Sequence, residues 1–210
     1  EGTSDCFDFD KIGIGFNWAA PKREAIFADD FESYTNLYGF TDLVNANYEV
    51  VNGSNDAESA WRLWNTAGDP LRLDPPDIDS MTGNYVITDS DLTGAAVMAE
   101  ELITPPIDAT NYFKLKLTFN KNYRVYVDET EYDQIAELDV RVKDPDTGVW
   151  GDWINLLHFE GPGAEEYNTT PEEVDLSAYD ESEIQLRWHY FDAFNDYWFA
   201  IDDIVVSGEP

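Results

Sequence analysis

The chain has 210 residues and a formal net charge of −32, which makes nucleic acid and anionic membrane surfaces unfavourable partners. No stretch is long and apolar enough to cross a membrane, so we expect no membrane insertion. Cys6 is the single cysteine, which excludes an intrachain disulfide.

Residues 1–26 form a predicted N-terminal extension to one domain that spans residues 27–210. The extension carries apolar side chains at strand spacing, with a shift of register between two runs. These side chains are Phe7, Phe9, Ile12, Ile14, Phe16 and Trp18. Two interpretations stay open. The segment either packs as a strand or tail of its own domain, or pairs as an arm with a sheet edge of a neighbouring molecule.

The rest of the chain is a succession of short predicted strands separated by turn signals such as Asn52-Gly53. In several of them apolar and polar side chains alternate, which is typical of half-buried strands. The predicted strands are 48–51, 61–64, 85–88, 95–98, 113–119, 123–127, 136–143, 154–159, 172–176, 184–190 and 197–206. With no helix-period segment, they predict an all-β fold, an antiparallel β-sandwich of jelly-roll type, with Trp188 and Trp198 in its core.

The last predicted strand is apolar on both faces yet carries Asp202 and Asp203 near its middle. Adjacent strand residues point to opposite faces, so one of the two carboxylates faces the core. A buried, unpaired carboxylate is costly, and this position therefore requires a cation, a hydrogen-bond network or a strand end. Three explanations of the overall acidity stay open: bound calcium, adaptation to high salt, or the solubility of an extracellular protein.

Five sequence landmarks occur in a fixed order along the chain. They are FADDFES at 27–33, LITPPID at 102–108, EVDLSAY at 173–179, IQLRWHY at 184–190 and YWFAIDDIVV at 197–206. In this series the chain resembles the MAM-like jelly rolls of secreted bacterial proteins, including the cleaved adhesin domains of gingipains. The resemblance implies a non-catalytic extracellular module for adhesion, glycan binding or surface assembly.

The same resemblance implies a structural calcium ion between an acidic N-terminal strand and the final strand. The positions that match are Asp30 and Glu32 on the first of these and Asp202 and Asp203 on the second. Asp89 or Asp91 is a further candidate ligand. Calcium accepts roughly six to eight oxygen ligands, which suits carboxylates from two strands together with loop carbonyls. The alternative is that these are solvated acids at strand ends.

Motifs for catalysis are absent from the sequence, including G-x-S-x-G, H-E-x-x-H and the phosphate-binding glycine loop. We therefore predict no enzymatic activity and interpret His158 and His189 as exposed or structurally bonded. Sugar binding would need exposed aromatic faces beside polar groups. The candidates are Trp150, Trp153, Phe191, Phe194 and Tyr197, and packing beneath the loops is the alternative for each of them.

Taken together, these observations predict a secreted or cell-surface module, stabilised by calcium, that serves adhesion or surface assembly. Its partners would be copies of itself, other cell-surface proteins or glycans, and polymerisation through the N-terminal arm is one form of such assembly. The alternative is a carbohydrate-binding module of an extracellular polysaccharide-degrading system.

Overall fold

The fold is known from a computed structural model that describes residues 22–56, 58–66, 81–92, 97–125, 134–160, 166–167, 171–194 and 196–210. The described part is built almost wholly of antiparallel strands. They are β1 Glu24–Asp29, β2 Glu49–Asn52, β3 Arg62–Asn65, β4 Asn84–Asp89, β5 Ala99–Ile103, β6 Ile107–Asp108, β7 Phe113–Tyr123, β8 Ile135–Val142, β9 Ile154–Glu160, β10 Glu166–Tyr167, β11 Glu172–Asp175, β12 Glu183–Phe191 and β13 Trp198–Glu209.

The strands form two sheets that pack face to face. The first has the order β10-β7-β13-β4-β3, with β1 also paired to β13 and β11 to β7. The second has the order β2-β5-β12-β8-β9, with β6 paired to β12. Apart from β3–β4 and β8–β9, neighbours in each sheet are not consecutive in the chain, as expected of a jelly roll. The predicted all-β sandwich is confirmed.

The core lies between the sheets and is supplied by the inward positions of the amphipathic strands. On β12 these are Ile184, Leu186, Trp188 and Tyr190, all of them fully buried. Facing them are the inward residues of β7, and Phe119 meets Trp188 edge to face with ring centroids 5.6 Å apart. The strict alternation of apolar and polar residues along β12 therefore reflects a sheet with one buried face and one face open to solvent.

β13 is apolar on both faces because a second, smaller cluster covers the outer face of the first sheet. Trp64, Met81, Tyr85, Ile87 and Trp198 form this cluster. Trp188 and Trp198 are both buried, which confirms their assignment to the interior, although they lie in different clusters.

Two strand boundaries were predicted wrongly. The described residues 97–98 of the strand predicted at 95–98 are not in a strand, since β5 spans Ala99–Ile103; the other error is a break predicted after Phe119. β7 runs unbroken from Phe113 to Tyr123, whereas the polar residues after Phe119 suggested a break before a new strand. Lys121 is buried within β7, where its Nζ lies 3.0 Å from Glu172 Oε2 and 3.9 Å from the ring centroid of Phe159. An ion pair and an aromatic face allow a charged residue inside a strand, so the polar pattern did not mark a turn.

The first described strand shows where the predicted N-terminal extension meets the domain. β1 begins at Glu24 and pairs with β13, so residues 24–26 belong to the first sheet. Residues 1–21 lie outside the described residues, and the choice between an arm and an internal strand stays a prediction. Also outside are residues 95–96 and 126–127 of two predicted strands; β5 begins at Ala99.

The helices in the described part are short. α1 spans Thr41–Asn45, and a single 3-10 turn spans Ser177–Tyr179. Within the described ranges, no helix has the length and apolarity needed to cross a bilayer.

Candidate functional site

A group of four carboxylates forms where the end of β1 meets an irregularity in β13. The pairing register of β13 with β7 shifts just after Asp202, and Asp203 has a positive φ of 51°. This bulge takes Asp203 out of the regular alternation of the strand. Asp30 and Glu32 directly follow β1. The structure thus places four of the five predicted calcium ligands, Asp30, Glu32, Asp202 and Asp203, close enough for their charges to interact. Among the described residues, no three of these four offer ligand atoms within 4.8 Å of one another, so their side chains would have to move closer together to bind one ion.

Hydrogen bonds hold three of these carboxylates in place, two of them from neighbouring strands and one from within β13. Glu32 Oε1 accepts a bond of 2.9 Å from the backbone N–H of Asn84. Its carboxylate occupies the space that a Cβ would fill at Gly83, where φ is +71°, so glycine is required there on both grounds. Asp203 Oδ2 accepts a bond of 2.7 Å from the amide of Asn120, and Asp202 Oδ1 accepts one of 2.8 Å from the backbone of Asp203.

The electrostatics of this group disfavour its full ionisation. Burial, reinforced by the negative charges of Asp203 and Glu32, raises the pKa of Asp202 to about 8. Burial also raises the pKa of Asp203, with further contributions from Asp30 and Glu32. The neighbouring carboxylates therefore stabilise the protonated forms of Asp202 and Asp203. A cation placed beside these two would reverse this effect and favour their ionised forms.

Calcium fits the chemistry of this donor set. Four carboxylates and the carbonyls of a bulged strand offer the hard oxygen ligands that calcium selects. A groove of about 390 Å³ opens beside Asp30 and Asp203 and gives solvent ions access to the group.

Asp89, the fifth predicted ligand, lies apart from the other four. It is buried at the end of β4, where it pairs with Trp198 of β13. Trp198 precedes Asp202 by four strand residues, which corresponds to a separation of about 13 Å. Asp89 Oδ1 accepts a hydrogen bond from the backbone of Asp91, so its local role is to shape the turn after β4.

A second candidate site covers the outer face of the second sheet, around Trp150 and Trp153. Both indoles are half-buried, and both contact the guanidinium of Arg141, whose central carbon lies 5.2 Å from the Trp150 ring centroid and 4.3 Å from that of Trp153. The Arg187 guanidinium lies 4.7 Å from the Trp153 ring centroid. These cation–π contacts fix the orientation of the rings while part of each ring stays open to solvent.

Arg187 stands at the centre of a polar network on the same face. It donates two hydrogen bonds to Asp139 Oδ2, of 2.9 and 2.7 Å, and one of 2.8 Å to Glu101 Oε1. Arg141 donates two bonds, of 3.0 and 2.8 Å, to Gln185 Oε1. The sequence analysis missed this network. The polar residues at the outward positions of β8 and β12 indicate that a network is possible there. Which of these residues meet depends on the order of the strands in the sheet, which the sequence does not show.

His189 lies beside this network with its ring stacked on Phe191, the two centroids 4.3 Å apart. Burial and the charge of Arg187 lower the pKa of His189 to about 4, so the imidazole is neutral near pH 7. Glu137, Asp139 and His189 each offer a ligand atom within 4.8 Å of the others. Asp139, however, already bonds to Arg187, so a metal ion would have to displace that guanidinium.

The other predicted sugar-binding aromatics divide between two places. Phe191 shares the outer face of the second sheet with the two tryptophans. Phe194 is exposed in the loop between β12 and β13. Tyr197 packs against Trp198, beside the small cluster on the outer face of the first sheet. The central carbon of the Arg124 guanidinium lies 4.1 Å from the centroid of the Tyr197 ring. The structure therefore places Phe191 on the same face as Trp150 and Trp153 but about 13 Å along β12 from Arg187, which contacts Trp153. It does not bring Phe194 or Tyr197 to this face.

The architecture is a jelly-roll β-sandwich of the cleaved-adhesin type. The K1 cleaved adhesin domain of Lys-gingipain from Porphyromonas gingivalis W83 is similar over 88% of this chain and 98% of that domain, with 18% identity and a TM-score of 0.54. The K3 domain of the same protein is similar over 89% of this chain and 99% of that domain, with 16% identity and a TM-score of 0.52. A carbohydrate-binding module, TmCBM61, solved in complex with β-1,4-galactotriose, is similar over 84% of this chain and 98% of the module. The identity is 15% and the TM-score is 0.49. No protein-family model matches the chain, and no curated protein matches it.

Proposed function

We propose that this protein is a non-catalytic extracellular adhesion module that binds a glycan on the outer face of its second sheet. The observation that carries the proposal is the pair Trp150 and Trp153, held half-exposed by two arginines beside a hydrogen-bonded polar network. A binding surface needs this combination of apolar faces and a few fixed polar groups. Binding to a glycan on a cell or matrix would itself give adhesion.

The residues of this face have complementary roles in the proposed binding. The open parts of the indoles would stack against the C–H face of a sugar ring, and their fixed orientation reduces the entropy lost on binding. Arg187 and the oxygens of Glu101 would exchange hydrogen bonds with sugar hydroxyls, while the buried Asp139 holds Arg187 in place. Because those two carboxylates are held by Arg187, they suit recognition better than proton transfer.

Charge selects the class of glycan. The chain carries a net charge of −32, and the arginines of the face are matched by adjacent acids. A sulfated or uronate-rich polysaccharide would meet a repulsive field, whereas a neutral one would not. The preferred ligand is therefore a neutral glycan, and its binding should depend little on ionic strength.

We propose in addition that calcium stabilises the fold at Asp30, Glu32, Asp202 and Asp203. The ion would supply the positive charge that these carboxylates lack and would tie the end of β1 to the bulge of β13. Extracellular modules commonly bind calcium weakly, at about 0.1–1 mM, which agrees with the proposed location at a cell surface.

Replacing Trp153 with alanine is expected to weaken glycan binding by about tenfold or more, because a central aromatic contact of this kind contributes at least about 1.4 kcal/mol. The measurement is retardation in affinity gels containing neutral polysaccharides, after a glycan array has identified the one that binds. Phe113 is 45% exposed on the first sheet, and Phe113→Ala is the matched control. Equal retardation of Trp153→Ala and the wild type would refute this site, and loss of binding in Phe194→Ala would place it at the loop.

Self-assembly through the N-terminal extension is a separate proposal. Deleting residues 1–20 leaves β1 intact, since that strand begins at Glu24. Light scattering during addition of calcium at fixed ionic strength should show growth of assemblies for the full chain and none for the shortened one. A flat trace for the full chain would remove this form of assembly and leave glycan binding unaffected.

A further inference from the structure

The two histidines of the chain lie in one row across the outer face of the second sheet. His158 is on β9 and His189 is on β12, and the strand between them, β8, contributes Glu137. The strand registers place Glu137 directly opposite both histidines. Each of the three is next to a buried residue of its own strand, so all three side chains point away from the core. Directly opposite residues of antiparallel strands have Cβ atoms about 5 Å apart, and the fold therefore brings these three side chains together.

Glu137 is the common neighbour of the two imidazoles. His158 Nδ1 lies 2.8 Å from Glu137 Oε1. On the other side, Glu137 and His189 have possible ligand atoms within 4.8 Å of each other. The side chains of His158, Glu137 and His189 are 44%, 20% and 19% exposed. The row is therefore held by the sheet and is accessible to ions from solvent.

A second carboxylate holds the ring of His158 in the orientation that a metal ligand needs. Its Nε2 lies 3.2 Å from Glu160 Oε2, whereas its Nδ1 faces Glu137. A histidine that binds a metal ion through one ring nitrogen almost always donates its other N–H to a carboxylate, a carbonyl or water. If Nδ1 bound an ion, the hydrogen bond to Glu160 would serve as this support.

We propose that His158, Glu137 and His189 bind a divalent transition-metal ion of the zinc type. Imidazole nitrogen suits zinc, copper and nickel, whereas calcium selects oxygen ligands. Adjacent ligand atoms of a tetrahedral zinc site are about 3.3 Å apart. His158 and Glu137 are already close to this separation, and His189 reaches it by a rotation of its side chain. Asp139 is not in the set, because its carboxylate is bound by Arg187.

The ion would link three strands of the second sheet. β9 is at the end of that sheet, so a metal ion shared with β8 and β12 would fasten it to the centre. Three protein ligands leave the fourth position of a tetrahedral zinc ion to water. The site is separate from the carboxylates around Asp202 and is not needed for glycan binding.

The test measures zinc binding by the full chain with Cys6→Ser, which removes the thiol as a competing ligand. Isothermal titration calorimetry is done at physiological ionic strength with millimolar calcium, so that sites made of oxygen alone are filled. One equivalent of zinc should bind. His158→Gln and His189→Gln should each weaken binding by at least about a hundredfold, since even the outer partners of a metal ligand contribute about ten- to a hundredfold.

The carboxylates are tested in the same way. Glu137→Gln should weaken zinc binding by at least about tenfold, and Glu160→Gln, which removes the support of a ligand, should weaken it by about tenfold. Glu173 is exposed on the first sheet and forms an ion pair with Lys116. Glu173→Gln removes the same charge from a strand far from the row, and it is the matched control that should leave zinc affinity unchanged.

Zinc affinity that is equal in either histidine variant and in the parent would overturn the site, as would the absence of zinc binding by the parent. If a variant does not fold, NMR of the histidine ring nitrogens in the parent decides the question, because the two histidines give the only imidazole signals. Both should shift together and reach saturation at one equivalent of zinc, and magnesium at the same concentration should shift neither. A shift of one imidazole alone, or of neither, would contradict the proposal. No glycan is present in these measurements, so failure of the metal site is distinct from failure of the proposed function.

Discussion

Replacing Arg187 with leucine is expected to lower the free energy of unfolding by about 3 kcal/mol. Its partner Asp139 has a side chain that is 3% exposed, and two of the hydrogen bonds from Arg187 end on a single oxygen of that carboxylate. Without the guanidinium, Asp139 would be left as a buried charge with only the amide of Asn155 as donor. The cost arises mainly from that uncompensated charge. Urea unfolding of the two proteins at pH 7 measures it.

The double variant Arg187→Leu/Asp139→Leu should recover most of the loss, since removing both charges from a buried pair is often close to neutral. Glu101 can turn to solvent, because its side chain is 21% exposed. Lys114→Ala is the matched control: its ion pair with Glu209 is on the surface, with the lysine side chain 69% exposed, and should change stability by less than about 0.5 kcal/mol. Strict additivity of the two single changes would show that Arg187 and Asp139 do not act as a pair.

The sequence predicted the sandwich well because its strands carry their own burial pattern. On β12, the alternation of Leu186 and Trp188 with Arg187 and His189 assigns one face to the core without knowledge of any neighbour. β13 was predicted as a covered central strand for a similar reason, since it is apolar at almost every position. The pattern failed at Lys121, whose burial depends on Glu172 and Phe159. Contacts between distant residues cannot be read from local periodicity.

The candidate sites were less predictable for the same physical reason. Asp202 and Asp203 stood out because charge inside an apolar strand is costly wherever the strand lies. Asp89 also lies in an acidic turn, and only the pairing of β4 with β13 shows that it is distant from them. Arg187 and Asp139 belong to different strands, and their contact follows from the adjacency of β12 and β8.

In the presence of a chelator, the ionisation of Asp202 should reduce the stability of the protein as pH rises from about 4 to about 9, and this contribution is the difference between the wild type and Asp202→Asn. The pKa of Asp202 is raised to about 8 in the folded protein from an ordinary value of 3.8, so over this interval the folded state holds a proton that the unfolded state has released. Stability falls with pH wherever the folded state binds more protons. The loss is on the order of 3 kcal/mol, since one pKa unit corresponds to about 1.4 kcal/mol and solvent screens part of the effect.

Calcium should reverse this trend, because ligand carboxylates must be ionised and metal binding therefore strengthens as pH rises. Urea unfolding at pH 5, 7 and 9, at fixed ionic strength and with either chelator or millimolar calcium, separates the two slopes. Asp202→Asn removes the titrating group, so the dependence of stability on pH in chelator should become flatter. In calcium, the same variant should abolish the stabilisation that comes from this site. His158 and Asp203 also have raised pKa values and act in the same direction. His189, whose pKa is lowered to about 4, acts in the opposite direction, because stability rises with pH where the unfolded state binds more protons. The variant leaves all three groups in place, so their contributions cancel in the comparison. Parallel slopes for the variant and the wild type in chelator would show that Asp202 ionises without cost, and the need for a cation among these four carboxylates would disappear with it.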